Sequence, residues 1–344
     1  MRSVFRKAMC AAAAAALLAA VPDAEVFALT DINTSVPIQP GMHVAVVSKS
    51  TKGQYWSMVR QGMEAGVEAV NACYQLKKGD KITMTFEGPD REIKVEDQIN
   101  MLDAVVAENP DVICLSAIDM ESCQAQIESA RENGIPVVVF DSNVLDTELI
   151  SAFRATDNYE VGRQAAEQMS AALMEQGEVL IFSAQEKTES IQNRIAGISE
   201  ILENCPEITV DEIIYEDQVE SMADAMTEAL AAYPMVRGVI CTNADISELY
   251  LGLPAELKEN ILFAGVDATT KQQDAIKDGQ QICTISQDPK TLGYETLITA
   301  VYAALKEDMP EIELEKEILL EPQKIDASNM YNPRYINYLY AEGK

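Results

Sequence analysis

Short apolar runs alternate with helical patterns along most of the chain. The first run, residues 43–47, precedes a segment in which Val59, Met63, Val67 and Val70 recur at the spacing of one helix face. Apolar runs of this length, separated by helices, are typical of buried parallel strands with crossover connections. The pattern therefore predicts an α/β protein in which parallel sheets are flanked by helices.

The alternation continues through the chain and favours two similar α/β units. Predicted strands cover residues 43–47, 82–86, 112–115, 136–140, 179–182, 213–215, 236–241, 261–266 and 282–285. Predicted helices cover residues 55–72, 95–108, 122–133, 159–176, 191–204, 221–232, 247–253, 270–277 and 292–306. From residue 321 an irregular tail is predicted, with aromatic anchors at Tyr331, Tyr335, Tyr338 and Tyr340.

Five of the apolar runs lead into residues that could hold a hydroxyl group. Ligands of open α/β sheets bind beyond the carboxyl ends of the strands, so these residues are expected to converge on one site. Flat rings cover the apolar face of a sugar, and carboxylates and amides bond to its hydroxyls. The set therefore indicates a small polyhydroxylated ligand, and its members are Tyr55, Trp56, Asp141, Asn243, Asp267 and Gln287.

The net charge of the chain limits the classes of molecule that it is expected to bind. It has 26 Lys and Arg against 56 Asp and Glu, which gives a formal net charge of −30 at pH 7. Nucleic acids and anionic lipid surfaces both attract basic proteins, so neither is an expected partner. Strong acidity suits a soluble protein outside the cytoplasm.

A secretory signal is predicted at the N-terminus. Three basic residues precede an apolar stretch at residues 8–21, which is short for a membrane span. Small residues precede a possible cut after Ala28, and an uncleaved anchor is the alternative. The prediction is a signal peptide at residues 1–28 and a polar linker at residues 29–40.

The cysteines after this segment are expected to be small buried hydrophobes. They form no Cys-x-x-Cys pair, which argues against a metal or redox site, and a disulfide stays open. They are Cys73, Cys114, Cys123, Cys205, Cys241 and Cys283.

Seven short motifs stand in one order from Gly41 to about Leu320. They are the polar loop and aromatic pair at residues 47–56, Asp141-Ser142-Asn143, Asp157-Asn158, Arg194-Ile195-Ala196-Gly197, Asn243-Ala244-Asp245, Gly265-Val266-Asp267 and Gln287. In these motifs the chain resembles the periplasmic sugar-binding proteins of the ribose and galactose type, which are the substrate-binding components of ABC transporters.

The resemblance implies two doubly wound parallel-sheet lobes joined by a three-strand hinge, the type I periplasmic binding protein fold. The N-terminal lobe would comprise residues 41–156 and 288–318, and the C-terminal lobe residues 157–287 and 319–344. A monomer would bind a monosaccharide or related polyol in the cleft between the lobes and close on it. A membrane permease would recognise the closed form, in the periplasm or at the cell exterior.

The resemblance also assigns roles to single residues. Trp56 or Tyr55 would stack on the sugar, Asp141 and Asp267 would accept its hydroxyls, and Arg194, Asn243 and Gln287 would donate to it. The family's Arg after the strand-end Asp is Ser142 here, and Gln54 stands where Asn or Pro is usual. The loop where some members place an aromatic lid reads Glu216-Asp217-Gln218 here. These departures leave the identity of the sugar open.

Each role has a structural alternative. Asp267 and Asp157 could cap the helices that follow them, and Arg194 could lie on the surface. Asp119 is a weaker candidate for ligand contact. Lys49 and Lys52 could contact an acidic sugar, although exposed loop lysines usually contact nothing specific.

The chain is expected not to be an enzyme and to need no cofactor or metal. The only histidine, His43, starts the first strand, and no nucleophile, phosphate-loop or calcium-loop motif is present. Ligand-sensing repressors share the fold but begin with a basic DNA-binding helix-turn-helix, whereas a signal segment is predicted at the start of this chain. The alternative function is a sensor that presents sugar to a membrane histidine kinase or chemoreceptor.

Overall fold

Strands and helices alternate throughout residues 30–341, the part of the chain that the computed structural model describes. The predicted alternation is confirmed, while the predicted signal peptide lies outside the described residues. The strands are β1 (His43–Val47), β2 (Thr83–Glu87), β3 (Val112–Leu115), β4 (Val137–Phe140), β5 (Ala152–Thr156), β6 (Gln176–Ser183), β7 (Glu207–Tyr215), β8 (Val236–Cys241), β9 (Leu262–Val266), β10 (Cys283–Ser286), β11 (Glu317–Leu320) and β12 (Gln323–Ile325). The helices are α1 (Gly53–Cys73), α2 (Val95–Glu108), α3 (Gln124–Glu132), α4 (Asn158–Ala172), α5 (Glu189–Glu203), α6 (Met222–Ala232), α7 (Ala244–Gly252), α8 (Thr270–Lys277) and α9 (Pro289–Asp308).

The described chain divides into two compact units, and each unit has its own sheet. Unit 1 consists of residues 30–155 and 289–319, and unit 2 of residues 156–288 and 320–341. The chain therefore passes from one unit to the other three times. Within residues 30–341, no helix combines the length and the apolar composition that crossing a bilayer requires.

The sheet of unit 1 has the strand order β11-β5-β4-β3-β1-β2. The pairs from β5 to β2 are all parallel. Alternate residues of β1, β3 and β4 pack with α2 and α3 in one hydrophobic core. Because the strands are parallel, the carboxyl ends of β1, β3 and β4 lie at one edge, where Ser48, Ser116 and Asp141 follow.

The sheet of unit 2 repeats this design with the order β12-β10-β9-β8-β6-β7. Its strands are parallel except for β12, which pairs antiparallel with β10. Two hydrophobic clusters cover its two faces, one with α4 and one with α6 and α7. The carboxyl ends of β8, β9 and β10 meet at one edge, where Thr242, Asp267 and Gln287 are found.

Near the first crossing, one element was not predicted and another was predicted with a wrong end. The apolar-run criterion missed β5 because Arg154 stands at its centre; this side chain is buried, and burial lowers its pKa. Its guanidinium bonds to Thr299 Oγ1, Phe153 O and Glu315 O, which satisfies the charge inside unit 1. The predicted helix at residues 159–176 is too long, because Met174 and Glu175 adopt left-handed backbone angles and β6 begins at Gln176.

The C-terminal tail is more ordered than the predicted irregular segment. It contains β12 and a 3-10 helix at Pro333–Tyr338. Tyr338 and Tyr340 are buried, and Tyr335 packs against the cluster around Ile325. Tyr331 is 74% exposed, so its predicted role as an anchor is wrong.

Close helix packing in unit 2 depends on Gly162. A Cβ at this position of α4 would lie 2.0 Å from the carbonyl oxygen of Arg194 on α5. The absence of a side chain lets the two helices approach, and α5 thereby carries Arg194 over the carboxyl edge of the sheet. The sequence motif that contains Arg194 is thus part of a helix–helix contact.

Candidate functional site

Asp141 of unit 1 and Asp267 of unit 2 share an unusual backbone conformation. Their φ angles are 62° and 72°, in the left-handed region that few residues other than glycine adopt. In each case the backbone N–H donates to a neighbouring strand, from Asp141 to Arg154 O and from Asp267 to Ile285 O, both at 2.8 Å. This turn directs the strand-end carboxylate back across the carboxyl edge of its sheet.

Asp141 is the centre of a buried polar cluster. Lys49 Nζ lies 2.8 Å from its Oδ2, and the Tyr55 hydroxyl donates to its Oδ1 at 2.5 Å. Ser116 and Ser142 also donate to Oδ2, at 3.1 and 3.2 Å. The carboxylate therefore has an opposite charge and several hydrogen bonds to stabilise it away from water.

The structure corrects the prediction for Lys49. The side chain is 4% exposed rather than an exposed loop lysine, and it donates to Ser142 Oγ at 2.9 Å. Its ammonium also lies 5.8 Å from the Trp56 ring centroid and 3.9 Å from Glu92 Oε2. It therefore joins Asp141 and Ser142 of the β4 edge to the aromatic pair.

The aromatic pair is packed inside this cluster. Trp56 is 3% exposed, and its indole N–H donates to Glu92 Oε1 at 2.7 Å. Its ring meets Tyr55 and Phe140 edge-on, with centroids 5.1 and 6.3 Å away. Stacking of either ring on a sugar stays a prediction.

Asp267 is held by neutral donors. Gln287 Nε2 and the Tyr340 hydroxyl both donate to its Oδ1, each at 2.8 Å, and Ala244 N–H donates to Oδ2 at 3.0 Å. Thr269 caps α8, so Asp267 is not the cap of the helix that follows it. Since no cation is within ion-pair distance among the described residues, Asp267 differs from Asp141 in its charge environment.

Tyr340 is a site residue that the sequence did not reveal. The tail crosses the end of β10, where Ser286 Oγ donates to Tyr338 O, and Tyr340 N–H donates to Ala268 O at 2.9 Å. Burial, followed by the neighbouring Asp267 carboxylate, raises the pKa of Tyr340 well above its usual value. The hydroxyl is therefore held as a donor to Asp267.

Arg194 is buried, so the predicted alternative of a surface arginine is wrong. It is 3% exposed, its Nε donates to Asn158 Oδ1 at 2.8 Å, and its Nη1 donates to Thr242 O at 2.7 Å. Its Nη2 makes no hydrogen bond within residues 30–341. The guanidinium is thus fixed in direction with one nitrogen still able to donate.

Asn243 and Gln287 use only part of their hydrogen-bonding capacity. Asn243 Oδ1 caps α7 by accepting from Ile246 N–H, and its Nδ2 makes no hydrogen bond within the described residues. Gln287 donates to Asp267, and its Oε1 is buried without a partner in the described chain. The predicted donor Gln287 therefore offers an acceptor as its remaining group.

Two weaker candidates serve local structure. Asp157 caps α4 by accepting from Glu160 N–H, as its structural alternative predicted. Asp119 accepts from Glu121 and Ser122 N–H groups in a turn.

The site residues form two half-sites, one on each unit. Half-site 1 on unit 1 contains Lys49, Tyr55, Trp56, Glu92, Ser116, Asp141 and Ser142. Half-site 2 on unit 2 contains Asn158, Arg194, Asn243, Asp267, Gln287 and Tyr340. Lys49 stands two residues after the carboxyl end of β1, which was a usable signal, whereas Tyr340 was predicted only as an aromatic anchor of the tail.

The described cysteines and acids show no metal or redox site. All six cysteines from Cys73 to Cys283 are free, and burial raises the pKa of both Cys123 and Cys283 to about 12. The four buried thiols, Cys114, Cys123, Cys241 and Cys283, behave as small hydrophobes, as predicted, whereas Cys73 and Cys205 are only half-buried. No group of three or more His, Cys, Asp or Glu side chains in residues 30–341 is arranged to hold a metal ion.

Comparison with known families and relatives gives one consistent result. The model of the periplasmic binding protein domain matches residues 44–308. The xylitol-binding protein of Mycolicibacterium smegmatis is 23% identical over 220 residues, which cover 61% of this chain and 60% of that protein. The ribose import binding protein of Escherichia coli is 21% identical over 229 residues, which cover 65% of this chain and 76% of that protein.

Solved structures share the fold over most of the chain. An ABC transporter solute binding protein from Agrobacterium vitis with bound D-fucose has a TM-score of 0.77 at 24% identity, covering 87% of this chain and 100% of that one. A solute binding protein from Bacillus halodurans with bound myo-inositol has a TM-score of 0.72 at 18% identity, covering 86% of this chain and 98% of that one. The two-lobed α/β fold implied by the sequence motifs is thereby confirmed.

Proposed function

The chain belongs to the periplasmic binding protein domain family, and we propose that it binds a small neutral sugar or polyol and delivers it to an ABC-transporter permease. The relatives named above are binding proteins, and the ribose import and ABC transporter proteins among them belong to transport systems, which agrees with the prediction that the chain is not an enzyme. They give no support to the alternative of a sensor.

The observation that carries the proposal is the state of Arg194. Its guanidinium is buried, oriented by Asn158 and Thr242, and keeps one nitrogen without a partner in the described chain. The nitrogen that is left can donate to a ligand oxygen, and a hydrogen bond from a charged group contributes about 1.5–3 kcal/mol. Asn243 Nδ2 offers a second donor on the same unit, and the Asp267 carboxylate an ionised acceptor.

The charges favour a neutral ligand over an acidic one. In half-site 1 the Lys49 ammonium is already paired with Asp141 and approached by Glu92. In half-site 2 the Arg194 guanidinium is accompanied by the Asp267 carboxylate. A sugar phosphate or sugar acid would therefore meet three carboxylates against two cations, whereas hydroxyl groups can donate to the acids and accept from the cations.

One ligand is proposed to contact both half-sites, which closes the protein around it. Hydrogen bonds to charged groups contribute about 1.5–3 kcal/mol each, so a few from each half-site would reach the ~8 kcal/mol of a micromolar complex. A ligand that prefers the closed form shifts the open–closed equilibrium toward it. The permease would then recognise the closed form at the outer face of the cytoplasmic membrane.

A thermal-shift screen tests the proposal. Purified protein is heated with millimolar D-ribose, D-fucose, D-arabinose, D-allose, xylitol or myo-inositol, and with glucose 6-phosphate as an acidic arm. Ligand that binds only the folded state raises the melting temperature, by an amount equivalent to about 2.7 kcal/mol at a hundredfold excess over Kd. We expect at least one neutral compound to stabilise the protein and the phosphate to give no shift.

The variant Arg194→Gln should lose the shift, while Arg60→Gln should keep it. Arg60 is an exposed arginine paired with Glu64 and belongs to neither half-site. Absence of a shift with every neutral compound, or an equal shift in both variants, would contradict the proposal.

A further inference from the structure

Unit 2 contains a pocket at the opposite edge of its sheet from half-site 2. The cavity has a volume of about 620 Å³ and lies at the amino ends of β8 and β9, where Arg237 and Leu262 line it. The carboxyl end of α7 supplies Tyr250 and Leu251. Asp267 follows the far end of β9, roughly 13 Å along the strand at 3.3 Å per residue, so the pocket is separate from half-site 2.

The lining of this pocket has the opposite charge from the rest of the chain. Eleven residues line it, and they include Arg237 and Lys258 but no Asp or Glu. The whole chain has 56 acidic residues in 344, so a random set of eleven would be expected to contain about two. Asn260 and Gln280 add amide groups, and the remaining lining is largely apolar.

Neither cation is neutralised by a carboxylate. Arg237 is exposed and makes no hydrogen bond or ion pair within residues 30–341. Lys258 Nζ donates to Tyr250 O and Leu251 O at 3.3 and 2.7 Å, the carbonyls at the end of α7, and lies 5.7 Å from the Tyr250 ring centroid. Burial, and then the neighbouring Lys271, lowers the pKa of Lys258.

Tyr250 supplies an aromatic part of the wall. The Tyr250 side chain is 1% exposed, and its hydroxyl is buried without a hydrogen bond in the described chain. Packing of Phe182 and Phe263 against the ring holds the side chain in place. Because that hydroxyl is buried from solvent, it is not a ligand contact, and the pocket combines a fixed aromatic ring with two cations that have no carboxylate partner.

We propose that this pocket binds a small organic anion, with its carboxylate or phosphate between Arg237 and Lys258 and its apolar body against Leu251 and Leu262. The volume lies within the range of small-molecule sites, about 300–1,000 Å³. A guanidinium forms two parallel hydrogen bonds with a carboxylate or phosphate, and the ammonium adds a point charge. The proposal does not depend on the proposed sugar function.

The proposal is tested by measuring the binding of three probes: benzoate, phenyl phosphate and the neutral isostere benzamide. Isothermal titration calorimetry gives the affinities, and changes in amide chemical shifts locate the bound probe. Both anions should bind saturably at millimolar concentration, and benzamide should not. Arg237→Gln should weaken benzoate binding roughly tenfold, because it removes a charge-assisted contact. The matched control Lys78→Gln removes an exposed cation of unit 1 that does not line the pocket, and should bind as wild type does.

Lys258→Gln should also weaken binding, but Lys258 caps the end of α7 and its loss could unfold the helix. Arg237→Gln is therefore the decisive variant, because Arg237 makes no hydrogen bond or ion pair within residues 30–341 that the substitution would remove. Equal affinity for benzoate and benzamide, equal affinity of Arg237→Gln and Lys78→Gln, or no saturable binding of either anion overturns the proposal.

Discussion

Asp141 and Asp267 occupy equivalent positions in the two units but are stabilised in different ways. Both follow a central strand, and both adopt φ between 60° and 75°. Asp141 is paired with the Lys49 ammonium, whereas Asp267 accepts only from an amide, a phenol and a backbone N–H. One carboxylate thus forms an ion pair within its own unit, and the other has no cation within ion-pair distance among the described residues.

This difference assigns different roles to the two acids. The Lys49–Asp141 pair holds the β1 loop and the aromatic pair in place, which is chiefly structural. Asp267 is oriented without being neutralised, so it is the stronger hydrogen-bond acceptor for a ligand.

The largest effect is expected for Lys49→Met. It leaves the Asp141 carboxylate buried without its cation, and breaking a buried ion pair typically costs about 3–5 kcal/mol. Urea unfolding should show this loss for Lys49→Met and almost none for Lys52→Met, an exposed lysine three positions later. The double variant Lys49→Met/Asp141→Asn should recover part of the stability, and a cost no greater than that of Lys52→Met would show that the pair is unimportant.

A smaller effect is expected for Asp267→Asn. The amide can accept from Gln287 and Tyr340, but its NH₂ group then faces the Ala244 N–H, and one donor is left unsatisfied. That costs about 1–3 kcal/mol, less than the loss of a buried ion pair. Urea unfolding of Asp267→Asn and Lys49→Met in parallel tests this order. A larger loss of unfolding free energy for Asp267→Asn than for Lys49→Met would contradict the contrast between the two units.

Tyr340→Phe should cost still less. It removes one of the donors to Asp267 Oδ1 and leaves Gln287 in place. One hydrogen bond to a charged group gives an expected loss of about 1.5 kcal/mol in the free energy of unfolding. The control Tyr331→Phe alters a tyrosine that is largely exposed and should have no effect; equal behaviour of the two variants would remove Tyr340 from the account.

The smallest effect is a difference in alkaline stability between wild type and Tyr340→Phe. The folded pKa of Tyr340 is raised, so its contribution is complete below about pH 10, the unfolded value, and is lost as pH rises toward the folded pKa. Wild type should therefore lose about 0.4 kcal/mol more than the variant between pH 10 and roughly pH 10.5. Parallel pH curves for the two proteins would contradict the assigned shift.

The strand-end residues could be predicted from the sequence because each follows an unbroken apolar run. Asp141 and Asp267 lie where β4 and β9 end, as predicted. β5 escaped prediction because its central Arg154 finds partners on α9 and near β11, which only the folded unit brings together. Long-range contacts of this kind leave no periodicity in the sequence.

The same reason explains what was missed in the site. Lys49 looks like a solvated loop residue until β4 places Asp141 beside it. Tyr340 is 73 residues from Asp267 and reaches it through a tail that lacks a repeating pattern. Arg194 was found through its motif, but its burial depends on the close approach of α4 and α5 at Gly162.

The central claim is that one neutral ligand is bound by both half-sites together. The most direct test is isothermal titration calorimetry with the sugar that gives the largest thermal shift. The titration is carried out on wild type, Asp141→Asn and Asp267→Asn. The account predicts one ligand per chain and roughly tenfold or greater weakening in both variants, since each removes an ionised acceptor or the network around it. Two ligands per chain, or an unchanged Kd in either variant, would contradict the claim.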